Sequence, residues 1–140
     1  MASSPKHRRI LVGGVFSILH PGHIFFLKKA RAMGSHLTVV LAHDSNVRRK
    51  SGCVIVPAED RKKVLEAVRY VDEVLIGDEK DFFKTIRKAR PDLIVLGHDQ
   101  TLNWLSDLGK NGIECKVARI SQSLKGYGTR KVVKRIKDTC

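Results

Sequence analysis

Arg9–Arg31 reads RILVGGVFSILHPGHIFFLKKAR, and this stretch decides how the chain is understood. Ile10-Leu11-Val12 is a short apolar run that breaks at Gly13-Gly14, the pattern of a buried strand that turns sharply. A helical pattern follows through Ile24, Phe25, Leu27, Lys28, Lys29 and Ala30. Pro21 suits the first helical position, where its missing N–H would be unpaired anyway. His20 then falls near the N-cap, and His23 lies about one turn on, on the same side. Free backbone N–H groups and the positive helix end converge there, which is a setting for phosphate. Two imidazoles at that corner can donate to a phosphate or to charge growing on it. Three other readings compete: a plain tight turn with surface histidines, zinc ligation by the histidine pair, and dinucleotide binding. A compact zinc site needs further ligands. Neither G-x-G-x-x-G nor G-x-x-x-x-G-K-[ST] occurs.

A chain of 140 residues suits one domain spanning 1–140. It is long enough to bury roughly two-thirds of its unfolded surface. Met1–Arg9 lacks the apolar core of a signal peptide, and no apolar run approaches the ~20 residues of a membrane span. Cys53, Cys115 and Cys140 form no C-x-x-C, so a reducing, cytoplasmic setting is expected, with no membrane partner. The net charge of +13 raises nucleic acid, anionic lipid and phosphorylated substrates as partners. Aromatics are few, none is interleaved with the basic clusters and no nucleic-acid motif is present, so no nucleic-acid partner is expected. The charge reads partly as solvated surface and partly as a field for polyphosphate.

Along the chain, Gly34 stops the first helix. Leu37–Ala42 is a continuous apolar and β-branched run, the signature of a strand buried on both faces. His43–Gly52 is polar and basic and reads as a loop, placed by parallel-sheet geometry at the same edge as the first turn. Pro57–Tyr70 reads as a helix with Val64, Leu65 and Val68 as its apolar stripe. Val74–Gly77 is a third strand, and Asp81–Arg90 a helix burying Phe82, Phe83 and Ile86. Leu93–Gly97 is a fourth strand, left through His98-Asp99-Gln100. Thr101–Leu108 carries a weaker helical pattern. Ile113–Ile120 is a fifth, more exposed strand near an edge. Thr129 can cap a last helix, Arg130–Lys137, with Val132, Val133 and Ile136 inward. Alternating strands and helices imply an α/β fold with a mostly parallel five-stranded sheet.

Val15–His23, VFSILHPGH, resembles the H-x-G-H signature of the cytidylyltransferase-like nucleotidyltransferases. The resemblance implies a Rossmann-like three-layer fold and assigns His20 and His23 to the triphosphate and its transition state. Val15, Phe16, Pro21 and Gly22 share that nucleotide-binding motif. Ser17 stands where the family usually carries aspartate. Arg61, on the segment Pro57–Arg61, matches an arginine on a helix packed behind the site, often near a dimer interface, so a homodimer is implied. Lys50 matches a mobile lysine over the phosphates, a part Arg49 could also take. Asp99 matches the segment that reaches base and ribose. Tyr127-Gly128-Thr129-Arg130-Lys131 matches a Ser/Thr-rich helix start on the phosphates, with Gly128 replacing one hydroxyl and Arg130 supporting Thr129.

Within the family the chain most resembles the archaeal FAD synthases, which transfer AMP from ATP to FMN. Cytidylyltransferases using CTP and adenylyltransferases, acting on glycerol phosphate or a sugar phosphate, are the alternatives. The implied reaction is in-line attack by a phosphate oxygen on the α-phosphorus, with pyrophosphate leaving. The attacking phosphomonoester is largely dianionic at neutral pH and needs no strong base. Catalysis would rest on positioning and charge stabilisation, with a divalent cation such as Mg²⁺ held mainly by the substrate and no protein metal site. A non-catalytic nucleotide- or nucleic-acid-binding module is the reading from another class.

Overall fold

A computed structural model describes residues 8–139. The reading of the first seven residues and of Cys140 lies outside this range. Five strands, β1 (Arg9–Gly14), β2 (His36–Leu41), β3 (Glu73–Ile76), β4 (Leu93–Leu96) and β5 (Lys116–Arg119), form one sheet in the order β3-β2-β1-β4-β5. Every pairing is parallel, with Val12 opposite Val39 and Leu11 opposite Ile94. Helices α1 (Pro21–Arg31), α2 (Asp44–Ser51), α3 (Ala58–Glu66), α4 (Phe82–Ala89) and α5 (Thr129–Thr139) intervene.

The strand period of two divides the apolar runs between two cores. Ile10, Val12, Val39, Leu93 and Val95 face Leu27 and Ala30 of α1 and Leu65 of α3. Leu11, Val40, Ile94 and Leu96 face Ile86 and Ala89 of α4, together with Leu108 and Ile113. The sheet is thus covered on both sides, which is why its central strands read as unbroken apolar runs rather than as alternation.

Three readings are corrected. The basic segment after β2 is the helix α2, not a loop. His43 caps its start, Nδ1 accepting from Ser45 N–H at 3.1 Å, and Gly52 closes it at φ 86°. Only Val47 is buried, so the helix has almost no apolar period to read. Second, α3 is shorter than expected and buries Ala58, Arg61 and Leu65, whereas Val64 is 48% exposed. Third, α5 begins at Thr129, with Gly128 C=O accepting from Val132 N–H at 3.0 Å; Gly128 holds the cap position. Ile136 faces outward, 52% exposed, and only Val132 and Val133 are half-buried. The weak pattern at Thr101–Leu108 is a 3₁₀ turn, Asn103–Asp107.

Candidate active site

The strand order reverses between β1 and β4, whose carboxyl ends diverge there. In open α/β sheets that reversal point is where ligands bind. Beyond Gly14, Phe16 adopts φ 52°, an uncommon conformation for a bulky residue, and turns the chain toward α1. Chain strain of this kind clusters at functional positions.

His20 and His23 cap α1 reciprocally. Gly22 N–H donates to His20 Nδ1 at 3.0 Å, and His20 N–H donates to His23 Nδ1 at 3.2 Å. His23 and Ile24 N–H groups donate to His20 C=O at 2.9 and 3.3 Å. The backbone donors expected to be free at this helix end are therefore engaged. A backbone N–H can only donate, so each Nδ1 must carry its lone pair. In the neutral ring the proton then sits on Nε2. Both histidines are held as Nε2–H donors. His20 Nε2 is buried and has no hydrogen-bond partner within the protein.

The rings form a column. His20 and His23 lie with centroids 3.8 Å apart, Tyr127 stacks beyond His20 at 5.9 Å, and Phe16 flanks His23 at 5.0 Å. Burial lowers the pKa of His20. Burial, and secondarily repulsion from His20, brings His23 down to about 4. Both are neutral donors at pH 7, not cations. Gly22 permits the close approach, since a Cβ there would lie 2.8 Å from the His20 ring and 3.1 Å from Tyr127 Cβ.

These residues open on a cavity of about 340 Å³. Its floor is Gly13 and Gly14 at the end of β1 and Gly97 at the end of β4. One wall is the first turn of α1 with Phe25 and Phe26; another is the β5–α5 connection at Gln122–Leu124 and Tyr127; the rim is His98-Asp99-Gln100. The sequence candidates Val15, Phe16, His20, Gly22, His23, Asp99 and Tyr127 all line it. Pro21, Lys50, Arg61, Thr129 and Arg130 do not. Pro21 occupies the first helical position but faces solvent. Lys50 sits on the exposed last turn of α2. Thr129 and Arg130 border a separate groove along α5, with Val133 and Lys134.

Arg61 is buried, 2% exposed. Its Nε donates to Val56 C=O at 2.8 Å, Nη1 to Val15 C=O at 2.8 Å, and Nη2 to Ala42 C=O at 3.0 Å and Asp44 Oδ1 at 2.7 Å. It braces the loop that carries Val15 from behind. Gln100, Phe25 and Phe26 were not singled out in the sequence. The phenylalanines look like ordinary helix core, and no local pattern marks Gln100.

Among the described residues, no group of three or more His, Cys, Asp or Glu is placed to hold a metal ion. No described helix is long and apolar enough to cross a membrane.

Known proteins resemble this chain over most of its length. An FAD synthase of Archaeoglobus fulgidus is 44% identical over 128 residues, covering 88% of this chain and 93% of that protein. An FAD synthase of Thermococcus kodakarensis is 44% identical, covering 99% of this chain and 98% of that protein. A crystal structure titled as the lipopolysaccharide core biosynthesis protein from Thermoplasma volcanium superposes with a TM-score of 0.76 at 37% identity, over 82% of this chain and 97% of that one. The model of the cytidylyltransferase-like family matches residues 11–135, from within β1 into α5, so the histidine column and the cavity around it lie in the matched region and the chain belongs to that family.

Proposed function

We propose that this protein is an FAD synthase, a nucleotidyltransferase that moves AMP from ATP to FMN. The observation that carries the reaction class is the pair of imidazoles fixed as Nε2–H donors at the switch-point cavity. The acceptor is inferred from the FAD synthases at 44% identity over most of their length.

In the reaction, an oxygen of the FMN phosphate attacks the α-phosphorus of ATP. One P–O bond forms and the bond to the β-phosphate oxygen breaks, releasing pyrophosphate. The nucleophile is already dianionic, so no protein base is assigned. Negative charge grows on the leaving oxygens, and donors fixed beforehand stabilise it without reorganising. His20 and His23 fill that role by hydrogen bonding rather than by charge. Val15, Phe16, Gly22, Asp99 and Tyr127 form the nucleotide wall, with Arg61 holding Val15 in place. Lys50 reaches the triphosphate only when α2 closes over the cavity, and Thr129 and Arg130 contribute from the start of α5. In support, Arg48, Arg49 and Lys50 have no ion-pair partner among the described residues. A divalent ion, Mg²⁺ in this proposal, would neutralise phosphate charge while held mainly by the phosphates themselves.

The proposal includes a single cytoplasmic domain and a homodimer. Ile55 before α3 and Val64 on it, 57% and 48% exposed, are apolar side chains that such a dimer would cover.

The test is direct. ATP, FMN and Mg²⁺ should give FAD and pyrophosphate, read by chromatography and mass spectrometry, with CTP used poorly. The name of the Thermoplasma volcanium relative motivates a parallel arm with sugar phosphates and glycerol phosphate. Better turnover there, or with CTP, would replace the FMN assignment while keeping the reaction class. Salt-sensitive RNA binding without any turnover would replace both.

A further inference from the structure

The β1–β4 ladder is short. Ile10 pairs with Leu93 and Leu11 with Ile94, and the pairing goes no further. Past that point the strands separate, and the cavity floor lies in the opening. One side chain spans it. Gln100 Nε2 donates to Gly13 C=O at 2.9 Å, and Gln100 Oε1 accepts from Gly97 N–H at 3.2 Å. The amide thus does what a ladder rung would do if the strands stayed together. Gly97 C=O is fixed as well, accepting from Arg119 Nη1 at 2.6 Å and from Gln100 N–H at 3.3 Å. The four-residue turn Gly97–Gln100 is therefore pinned to the end of β1, and its tip, His98-Asp99, forms the rim opposite the histidine column.

We propose that Gln100 is a positioning residue that sets the width of the switch-point crevice and so determines nucleotide affinity. It rests on the nucleotidyl-transfer reading. The hydrogen bonds of Gln100 go to Gly13 and Gly97 and not to His20 or His23, so it acts on binding rather than on the chemical step. Without the bridge the rim and floor are free to separate, and only a fraction of molecules holds the binding-competent spacing. Apparent affinity then falls by that fraction.

The geometry makes an atom-specific test possible. Gln100→Glu keeps size and shape and can still accept from Gly97 N–H. It replaces the donor facing Gly13 C=O with a second acceptor, which repels it. Gln100→Leu keeps bulk and removes both bonds. Gln100→Leu loses two hydrogen bonds and Gln100→Glu loses one with a repulsion added, so both should raise KM for ATP by about tenfold to a hundredfold, with kcat within about threefold of wild type. Calorimetric ATP binding to each protein supplies the same comparison without turnover. If wild type makes no FAD, the acceptor assignment fails, and the Gln100 proposal is still decided by nucleotide binding. Wild-type KM and affinity in both variants would overturn it. So would equal losses in kcat and kcat/KM.

Discussion

Replacing Arg61 with methionine should unfold this protein at a markedly lower denaturant concentration. The guanidinium is 2% exposed and makes four hydrogen bonds, to Val56, Val15 and Ala42 carbonyls and to Asp44 Oδ1. Methionine fills most of the volume and leaves all four acceptors without this donor. A buried acceptor left unpaired costs about 1–3 kcal/mol. Removing one partner of a buried ion pair costs about 3–5 kcal/mol. The terms overlap. Asp44 is also 30% exposed at its side chain and keeps Ala58 N–H at 2.9 Å, which limits its share. The expected loss is about 3–5 kcal/mol, a large part of the roughly 5–15 kcal/mol that holds such a domain together. Tm should fall by about 10–20 °C. Arg61→Lys should recover only part, because one ammonium cannot span acceptors spread across α2 and three connecting segments. Asp44→Asn should cost about 1 kcal/mol, since it keeps the acceptor and loses the charge. Urea denaturation followed by circular dichroism measures all three. A loss below about 1 kcal/mol in Arg61→Met would refute the claim that this side chain braces the loop. So would an Asp44→Asn loss equal to that of Arg61→Met, which would leave the ion pair as the whole effect.

Three other outcomes are expected. His20→Asn preserves an N-cap acceptor and removes the Nε2–H donor, so stability should hold within about 0.5 kcal/mol while kcat falls by about 10²–10³; turnover within tenfold of wild type would make His20 structural. His23 has a folded-state pKa lowered to about 4 against an ordinary 6.5, so the unfolded chain takes the proton first on acidification. Its stabilising contribution is complete above pH 6.5 and is lost as pH falls from there toward 4. Allowing for solvent in the crevice, wild type should lose about 1 kcal/mol more than His23→Asn between pH 7 and pH 5, and equal losses in urea titrations would contradict the burial argument. Lys50→Ala should lower kcat/KM for ATP by about tenfold with Tm nearly unchanged, as for surface substitutions generally. Normal turnover would remove Lys50 from the site and with it the closing of α2.

The sheet was legible because both of its faces are covered. Leu37–Leu41 and Leu93–Leu96 have no polar face to show, and an uninterrupted apolar run of that length, bounded by turns, has few other uses. His20-Pro21-Gly22-His23 was legible for a related reason: proline and glycine restrict the backbone locally, so the spacing of the histidines follows from nearest neighbours alone. What lay beyond local sequence was any contact made across the sheet or between segments far apart in the chain. Helix α2 buries only Val47 and is held by a histidine cap and a left-handed Gly52, signals that a polar loop shares. Arg61 is placed behind the site by resemblance alone, and its acceptors are defined only when Val15, Ala42, Asp44 and Val56 are brought around it. The neutral Nε2–H state of the histidines depends on backbone caps and on burial beneath Tyr127, which arrives from more than a hundred residues away. Gln100 depends on Gly13, 87 positions distant, at a strand end that only the order β3-β2-β1-β4-β5 places beside it. Composition and spacing determined which elements form and which chemistry they carry. The tertiary structure decided which side chains became donors, braces and bridges, because those roles are set by partners that chain connectivity leaves far apart.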